Sequence, residues 1–393
     1  MGQDRLQLSQ LSTQGFRNLS SDPVSFRTGV TLITGENAQG KTNLLEAAAL
    51  VCGQRSFRGA TSAAMARDGE GFSITGTLEA ASGPERVTVS WTRTGGREFR
   101  RGEKTAGFRE VSGLAPAVFL APEHRELLIG SPSARRRFLD RLVLGLKPAA
   151  GDDLARYGTA LRERNALLAR SRRAGAGGHA AAPGELEAWT EELSVAGAAV
   201  RRHRRAALGL WYEEFELLAR EAGEAYRGVR AEYSAAGDSA EELRAACQRL
   251  LPLDRRRGYS LAGPHRDDLL WTRDGRPLAS EASSGEVART VALVKLAEWS
   301  AVAKSAGEPP LFVADDFDAG LSESWVEEFF DALPAHAQVL LTTTAPPARF
   351  GFGASKHPAA VLEIQRGSVR AAAPHGHFSS AALVRVRAVN GAS

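Results

Sequence analysis

The sequence predicts an α/β fold made from both ends of the chain and interrupted by an inserted helical arm. Three observations carry that prediction. The run Val30–Thr34 is short and β-branched and leads straight into a glycine-rich turn. The middle third, after Ser131, changes to helical spacing rich in Ala, Leu, Glu and Arg. From Tyr259 onward short apolar runs alternate with helical stretches again. The chain has 393 residues, enough for two domains or one large domain with an insertion.

Each element follows from local pattern. Leu6–Leu11 is a modest apolar run, and Lys41–Val51 reads as a helix directly after the glycine turn. Phe72–Leu78 and Val87–Thr92 alternate like exposed antiparallel strands, and Ala117–Leu120 is another short apolar run. Helices are expected over Ala134–Leu146, Asp152–Ser171, Glu185–Gly228 and Glu241–Leu251. The second and third are separated by a loop, Arg173–Gly184, read as mobile from its Gly and Ala content. Their apolar pattern is too short and irregular for a long coiled coil. In the last third, Leu269–Thr272, Pro310–Asp315 and Gln338–Leu341 read as strands, and Gly285–Lys304 and Ser324–Leu333 as helices. The tail beyond Gly367 carries no readable pattern.

Composition narrows the function classes. The apolar share is 43% and the charged share 24%, ordinary for a folded globular chain. No run of eighteen apolar residues predicts a membrane span, and Met1–Phe16 lacks the apolar core of a signal peptide. Cys52 and Cys247 are far apart, which disfavours a disulfide framework or a cysteine zinc site. A cytoplasmic, reducing setting with no membrane is expected. Net charge is +4, and residues 131–260 hold 23 basic against 18 acidic residues, so the positive excess lies in the middle third. That bias permits nucleic-acid binding without showing it. No HExxH or GxSxG pattern occurs, which weakens protease and esterase readings.

The strongest motif is Gly35-Glu36-Asn37-Ala38-Gln39-Gly40-Lys41-Thr42, a G-x-x-x-x-G-K-[ST] phosphate loop between a strand and a helix. Its glycines let backbone N–H groups curl around a phosphate, and the helix N-terminus adds positive partial charge. Lys41 is expected to reach the β- and γ-phosphates of ATP, and the Thr42 hydroxyl to ligate Mg²⁺. Pro310–Asp316 is an apolar strand ending in two carboxylates. Asp315 fits the Walker B role toward Mg²⁺, and Asp316 the polarisation of the attacking water. Ala282-Ser283-Ser284-Gly285-Glu286 opens a long helix about one helix length before that strand. Its placement resembles the signature motif of ABC-type ATPases, where a serine and a glycine at a helix end bind the γ-phosphate held by the opposite subunit. A plain serine helix cap with Glu286 in the first turn is the alternative.

Further stretches resemble the RecF family, bacterial recombination-repair ABC-type ATPases related to SMC-class heads. They are Gly15-Phe16-Arg17-Asn18-Leu19, GKTNLLEAAALV with Gly53–Arg58, Phe119–Glu123 with Gly130-Ser131-Pro132 and Arg135–Asp140, Tyr157 with Leu161–Leu168, and Gly263-Pro264-His265-Arg266-Asp267-Asp268-Leu269. The resemblance runs from about residue 10 to residue 345. It implies an ABC-type P-loop ATPase head with a short helical arm in place of the long coiled coil. The expected division is head at 1–130, arm at 131–258, head again at 259–367, and a tail at 368–393 with no assigned role. It also implies that Arg17 lies near the phosphates, and that Ser283, Gly285 and Glu286 complete a nucleotide site across an ATP-bound homodimer. The family binds ATP and single- and double-stranded DNA at gaps and junctions, hydrolyses ATP slowly, and works with RecR and RecO to load RecA. A nucleoid-associated location follows from that role.

This chain departs from the family pattern at Ala319-Gly320-Leu321-Ser322, where S-E-L-D is usual, and Thr342-Thr343-Thr344 stands where other ABC ATPases place a switch histidine. Candidate DNA contacts are Arg201, Arg202, Arg204 and Arg205, with Arg255–Arg257. GPHRDDL has two readings: a turn whose aspartates pair with Arg266, or a segment that brings Arg266 or His265 to DNA or nucleotide.

Overall fold

The computed structural model describes residues 7–54, 56–80, 83–112, 114–174, 183–333, 337–346 and 359–371. Most of the loop expected at 173–184, Arg55 of the Gly53–Arg58 segment and the tail from 372 lie outside those residues. The chain forms two compact units, one from residues 1–124 with 283–393 and one from residues 125–282. Among the described residues no helix is long and apolar enough to cross a membrane.

The first unit contains two six-stranded sheets. In one, Ala359–Gln365, Gly29–Thr34, Gln338–Thr343, Leu311–Ala314 and Ala117–Leu120 lie side by side in that order and run parallel, with Ser368–Ala371 antiparallel at the edge. Its strands are apolar on both faces because helices cover both. On one face Val30, Leu32, Phe312 and Leu341 pack against Ala292 and Trp299 of the helix Ser284–Ala306 and Phe329 of the helix Glu323–Ala332. On the other, Ile33, Val313 and Leu340 pack with Leu44, Leu45 and Ala48 of the helix Lys41–Val51.

That helix is buried nearly all round, because the second sheet closes over it. The second sheet is antiparallel, built on Gln7–Gln14, Gly71–Ala80, Gly83–Thr92 and Gly96–Arg101, and supplies Leu8, Ile74, Leu78 and Val87 to the same core. Gln338 links the sheets. Its side-chain oxygen accepts from Leu8 N at 2.9 Å and its amide donates to Leu8 O at 2.8 Å, which satisfies the buried amide on both sides.

The second unit packs the helices Pro132–Leu146, Gly151–Ala174, Pro183–Glu221 and Ala240–Arg257 with a three-stranded sheet of Val229–Ser234, Asp268–Arg273 and Arg276–Pro277. Tyr157, Leu193, Val200, Leu243 and Cys247 form one of its cores. The unit differs from the expected arm at both ends. It begins at Arg125 rather than 131 and runs through Ala282 rather than stopping at 258. The physical reason is that GPHRDDL feeds a strand paired to Val229–Ser234 and sends Asp267 and Asp268 into ion pairs with this unit's helices.

Two helix ends also differ. The long helix stops at Glu221, and Gly223, at φ 107°, starts a separate short helix. The helix expected to end at Leu251 continues past Pro252 to Arg257, where Gly258 in the left-handed region (φ 80°) donates to Asp254 O at 2.7 Å and caps it.

Candidate nucleotide site

The phosphate loop joins the central strand Gly29–Thr34 to the helix Lys41–Val51, as the sequence requires. Two of its glycines are fixed by close approach. Gly35 sits at φ 148°, and a Cβ there would lie 2.5 Å from the Ile364 carbonyl. Gly40, at φ 119°, would bring a Cβ to 2.9 Å from Asn18 Oδ1. Ala38 also takes a positive φ, of 64°, in the exposed crest formed with Glu36 and Asn37. The loop is held from two sides. Asn18 Nδ2 donates to Ala38 O at 3.3 Å, and Arg366 N and Gly367 N donate to Gln39 Oε1 and Gln39 O at 2.6 and 2.8 Å. The second support comes from a hairpin, Ala359–Gln365 with Ser368–Ala371, that sequence reading missed. Its one local signal is the turn Arg366-Gly367 between alternating apolar residues.

Lys41 is buried, and its ammonium donates to the carbonyls of Gly35 (2.7 Å) and Glu36 (3.0 Å). An ammonium has three hydrogens, so one remains for a phosphate oxygen. Thr42 Oγ1 donates to Asp315 Oδ2 at 2.7 Å, which joins the two motifs across 273 residues of sequence. A hydroxyl and a carboxylate are hard oxygen donors of the kind Mg²⁺ takes together with substrate phosphates, so these two residues fit that ion. Among the described residues no three His, Cys, Asp or Glu side chains converge, so the ion would depend on phosphate oxygens and water for its other positions.

Thr342, on the strand between the two motifs, organises the acidic pair. Its hydroxyl donates to Asp315 Oδ1 at 2.6 Å and accepts from Asp316 N at 2.8 Å. Both Asp315 oxygens are therefore directed by hydroxyls. Asp316 is held in a left-handed turn (φ 44°), half-buried, and its carboxyl is pushed above the ordinary range. Burial is the main cause and the adjacent Asp315 charge the second, partly offset by Lys41. A carboxylate with raised affinity for protons suits a group that takes one from water.

The residues 283–286 form a helix cap. Ser283 Oγ accepts from Glu286 N at 3.3 Å, and Ser283 N donates to Glu286 Oε2 at 2.8 Å, a reciprocal capping box. Glu286 is thus engaged in the cap. Gly285 is open: a Cβ there would meet only Gly320 O, at 3.8 Å, from the Ala319–Ser322 segment. The capping box takes the Ser283 and Glu286 N–H groups, so an anion at this uncrowded helix end would meet those of Ser284 and Gly285. Arg17, expected near the phosphates, turns instead to Glu46 on the helix after the loop, at 2.9 and 3.0 Å, and to Ala64 O at 3.2 Å. Glu46 is fully buried, so Arg17 is needed there as its counter-charge.

The arginine clusters divide. Arg201 and Arg204 are buried and engaged. Arg201 forks onto Asp267 at 2.7 and 3.0 Å, and Arg204 holds Asp140 at 2.7 Å and Pro264 O at 2.8 Å. They are not available as DNA contacts. Arg205 pairs with Asp238 at the surface, while Arg202 and Arg255–Arg257 are exposed. In GPHRDDL the aspartates take other arginines than Arg266, and His265 is walled in. His265 Nε2 donates to Ser260 O at 3.0 Å, so Nδ1 accepts the Tyr157 hydroxyl at 2.5 Å; burial pushes the imidazole down to about 4. The two motifs Arg135–Asp140 and GPHRDDL thus build one polar core.

Comparison with known proteins places this geometry. A family model described as AAA domain matches residues 10–117. The DNA replication and repair protein RecF of Deinococcus deserti is 35% identical over 350 residues, covering 86% of this chain and 90% of the relative. RecF of Anaeromyxobacter sp. is 35% identical over 358 residues, covering 86% and 92%. A solved structure of the recombination mediator protein RecF with ATP, in the RecFOR pathway, superposes with a TM-score of 0.84 at 25% identity, covering 95% of this chain and 99% of the other. An Smc head domain from Pyrococcus furiosus shares the fold, with a TM-score of 0.50 at 15% identity over 93% of this chain and 96% of the other.

Proposed function

Because the chain belongs to the RecF family of DNA replication and repair proteins, we propose that it is an ATP-driven, DNA-binding dimer with slow ATPase activity. It acts at gapped or single-strand/double-strand junction DNA in recombinational repair, with RecO and RecR as partners in loading RecA. The observation that carries the ATPase part is the Thr42–Asp315–Thr342–Asp316 chain of hydrogen bonds at the mouth of a P-loop. Lys41 and the loop N–H groups bind the β- and γ-phosphates. Thr42 and Asp315 would hold Mg²⁺, which supplies charge neutralisation. Asp316 orients the attacking water and accepts its proton.

Lys41→Ala removes a charge-assisted contact worth about 1.5–3 kcal/mol, so ATP affinity should fall about 10- to 100-fold. Titration with a fluorescent ATP analogue measures it, with circular dichroism to verify folding. An affinity within twofold of the parent would overturn the P-loop assignment.

ATP joins two subunits in this reading, since one supplies the P-loop and the other the helix end at Ser283 and Gly285. A ligand drives dimerisation only if it binds the closed dimer more tightly than the monomer. Ser283→Arg puts a bulky side chain where that helix end must meet phosphate. It should bind ATP as a monomer and lose ATP-dependent dimerisation in sedimentation velocity, while ADP dimerises neither protein. Equal dimerisation by parent and variant would reduce the segment to a helix cap. The Ala319–Ser322 segment beside Gly285 supports a second reading, a DNA clamp with decayed hydrolysis. Steady-state ATP turnover with and without gapped DNA separates the two.

A further inference from the structure

We propose that Arg136 and Arg266 form a phosphodiester-binding site on the helical unit, through which this chain grips the backbone of its DNA. The proposal rests on the DNA-binding reading above and gives it an address.

Three aspartates and five arginines meet where Arg135–Asp140 faces GPHRDDL. Asp268 takes Arg135 in a two-pronged pair at 2.7 and 2.9 Å. Asp267 takes Arg201 in another, lies 3.7 Å from Arg204, and also accepts the Tyr233 hydroxyl. Asp140 takes Arg204. Each carboxylate has an arginine partner, and two guanidiniums remain without a carboxylate in contact. Arg136 donates to the carbonyl of Asp267 at 3.0 Å, and Arg266 to the carbonyl of Ser260 at 3.1 Å. A carbonyl orients a guanidinium without neutralising it.

The two guanidiniums that lack a carboxylate contact lie close enough to feel each other's charge. The carbonyl that orients Arg136 belongs to the residue next to Arg266. Arg136 is held below the usual arginine range by burial first and the Arg204 charge second; Asp268 pulls the other way, Arg266 adds less to the lowering than Asp268 opposes it, and Asp267 opposes it least. Arg136 is half-buried and Arg266 exposed, so both can be reached from solvent. Two oriented guanidiniums with no carboxylate in direct contact suit a pair of phosphate oxygens, because each presents a planar fork of donors.

A second feature favours DNA over a carboxylate partner. Arg266 lies over the ring of Tyr259, 5.2 Å from its centroid, and Tyr259 is 38% exposed. The stack holds the guanidinium flat, and a partly exposed aromatic ring beside a phosphate site offers an unpaired base a contact. That combination suits the single-stranded side of a gap or junction.

The test uses the full chain and a fluorescein-labelled gapped duplex, with anisotropy titrations across a salt series. The double substitution Arg136→Gln/Arg266→Gln keeps an amide donor for each carbonyl, so the core should stay folded. Affinity should fall at least about tenfold, and the log–log salt slope should become shallower by about 2, one counterion per lost contact. ATP affinity and the thermal midpoint, measured on the same protein, should not move. The comparison variant is Arg255→Gln/Arg256→Gln, exposed arginines at a helix C-terminus. Equal losses in both double variants would mean diffuse attraction and would overturn the site, as would an unchanged slope in the first. A parent that binds no gapped DNA would sink the DNA-binding reading itself. Tyr259→Ala should weaken gapped more than fully duplex DNA.

Discussion

Asp267→Ala should unfold the helical unit far more easily than any surface substitution, at a cost of about 3–5 kcal/mol. Asp267 is 2% exposed and is the two-pronged partner of Arg201, itself 1% exposed. Removing the carboxylate strands a guanidinium that water cannot reach, and strips the Tyr233 hydroxyl of its acceptor. The two remaining bonds of Arg201, to the carbonyls of Ala236 and Gly237, carry no counter-charge. Asp238→Ala provides the contrast. Asp238 pairs with Arg205 in the open, with side chains 56% and 45% exposed, so its loss should cost about 0–1 kcal/mol. Urea unfolding followed by tryptophan fluorescence reports on the unit, because Trp211 and Trp271 meet edge to face within it, with ring centroids 5.9 Å apart. With two units in the chain the early transition should be analysed separately. Equal midpoints for the two variants would show that the buried pair adds little.

The same residues show what the sequence could and could not reveal. Where structure is decided by neighbours in the chain, reading succeeded. The helix Lys41–Val51 has the bounds its pattern predicts, because a glycine turn starts it and its apolar content ends at Gly53. The apolar run before Asp315 and Asp316 forms a strand, Leu311–Ala314, because its pattern is local. Ser283 and Glu286 have the spacing of a capping box, and they form one. Where partners come from far along the chain, reading failed. Arg201, Arg202, Arg204 and Arg205 fall within five residues and read as exposed candidate DNA contacts. Two of them are buried because Asp140 and Asp267 lie 64 and 66 residues away in sequence and meet them in space. The hairpin under the P-loop escaped for the same reason: Arg366 meets Gln39 across 327 residues. Thr342 stands at the place of the switch histidine, but nothing next to it in sequence marks it as a partner of the two aspartates. A threonine in a buried strand usually packs as a small residue, and its role became visible only when Asp315 and Asp316 were placed on either side of its hydroxyl.

Asp316→Asn should slow ATP hydrolysis by about 10²–10³-fold while leaving ATP affinity within a few-fold of the parent. The substitution separates chemistry from folding better than alanine would. Asparagine is close in size to aspartate and tolerates the left-handed backbone that residue 316 adopts at φ 44°, so the hydrogen bond from its N–H to Thr342 should persist. What is lost is the ability to take a proton. The pH profile gives an independent reading. Asp316 works as a base only when ionised, and burial with the Asp315 charge raises its pKa. Turnover in the parent should therefore fall as pH drops through that raised value, at a higher pH than an ordinary carboxylate would give. The residual turnover of the variant should lack that limb, since asparagine does not titrate. Bound ATP would then persist, and the ATP-joined dimer should accumulate on sedimentation where the parent cycles. Single-turnover hydrolysis across pH 4 to 8, alongside a nucleotide titration, measures all of this. If the variant keeps the parent's rate, or keeps its acid limb, the proton goes to another group and Asp316 only shapes the turn.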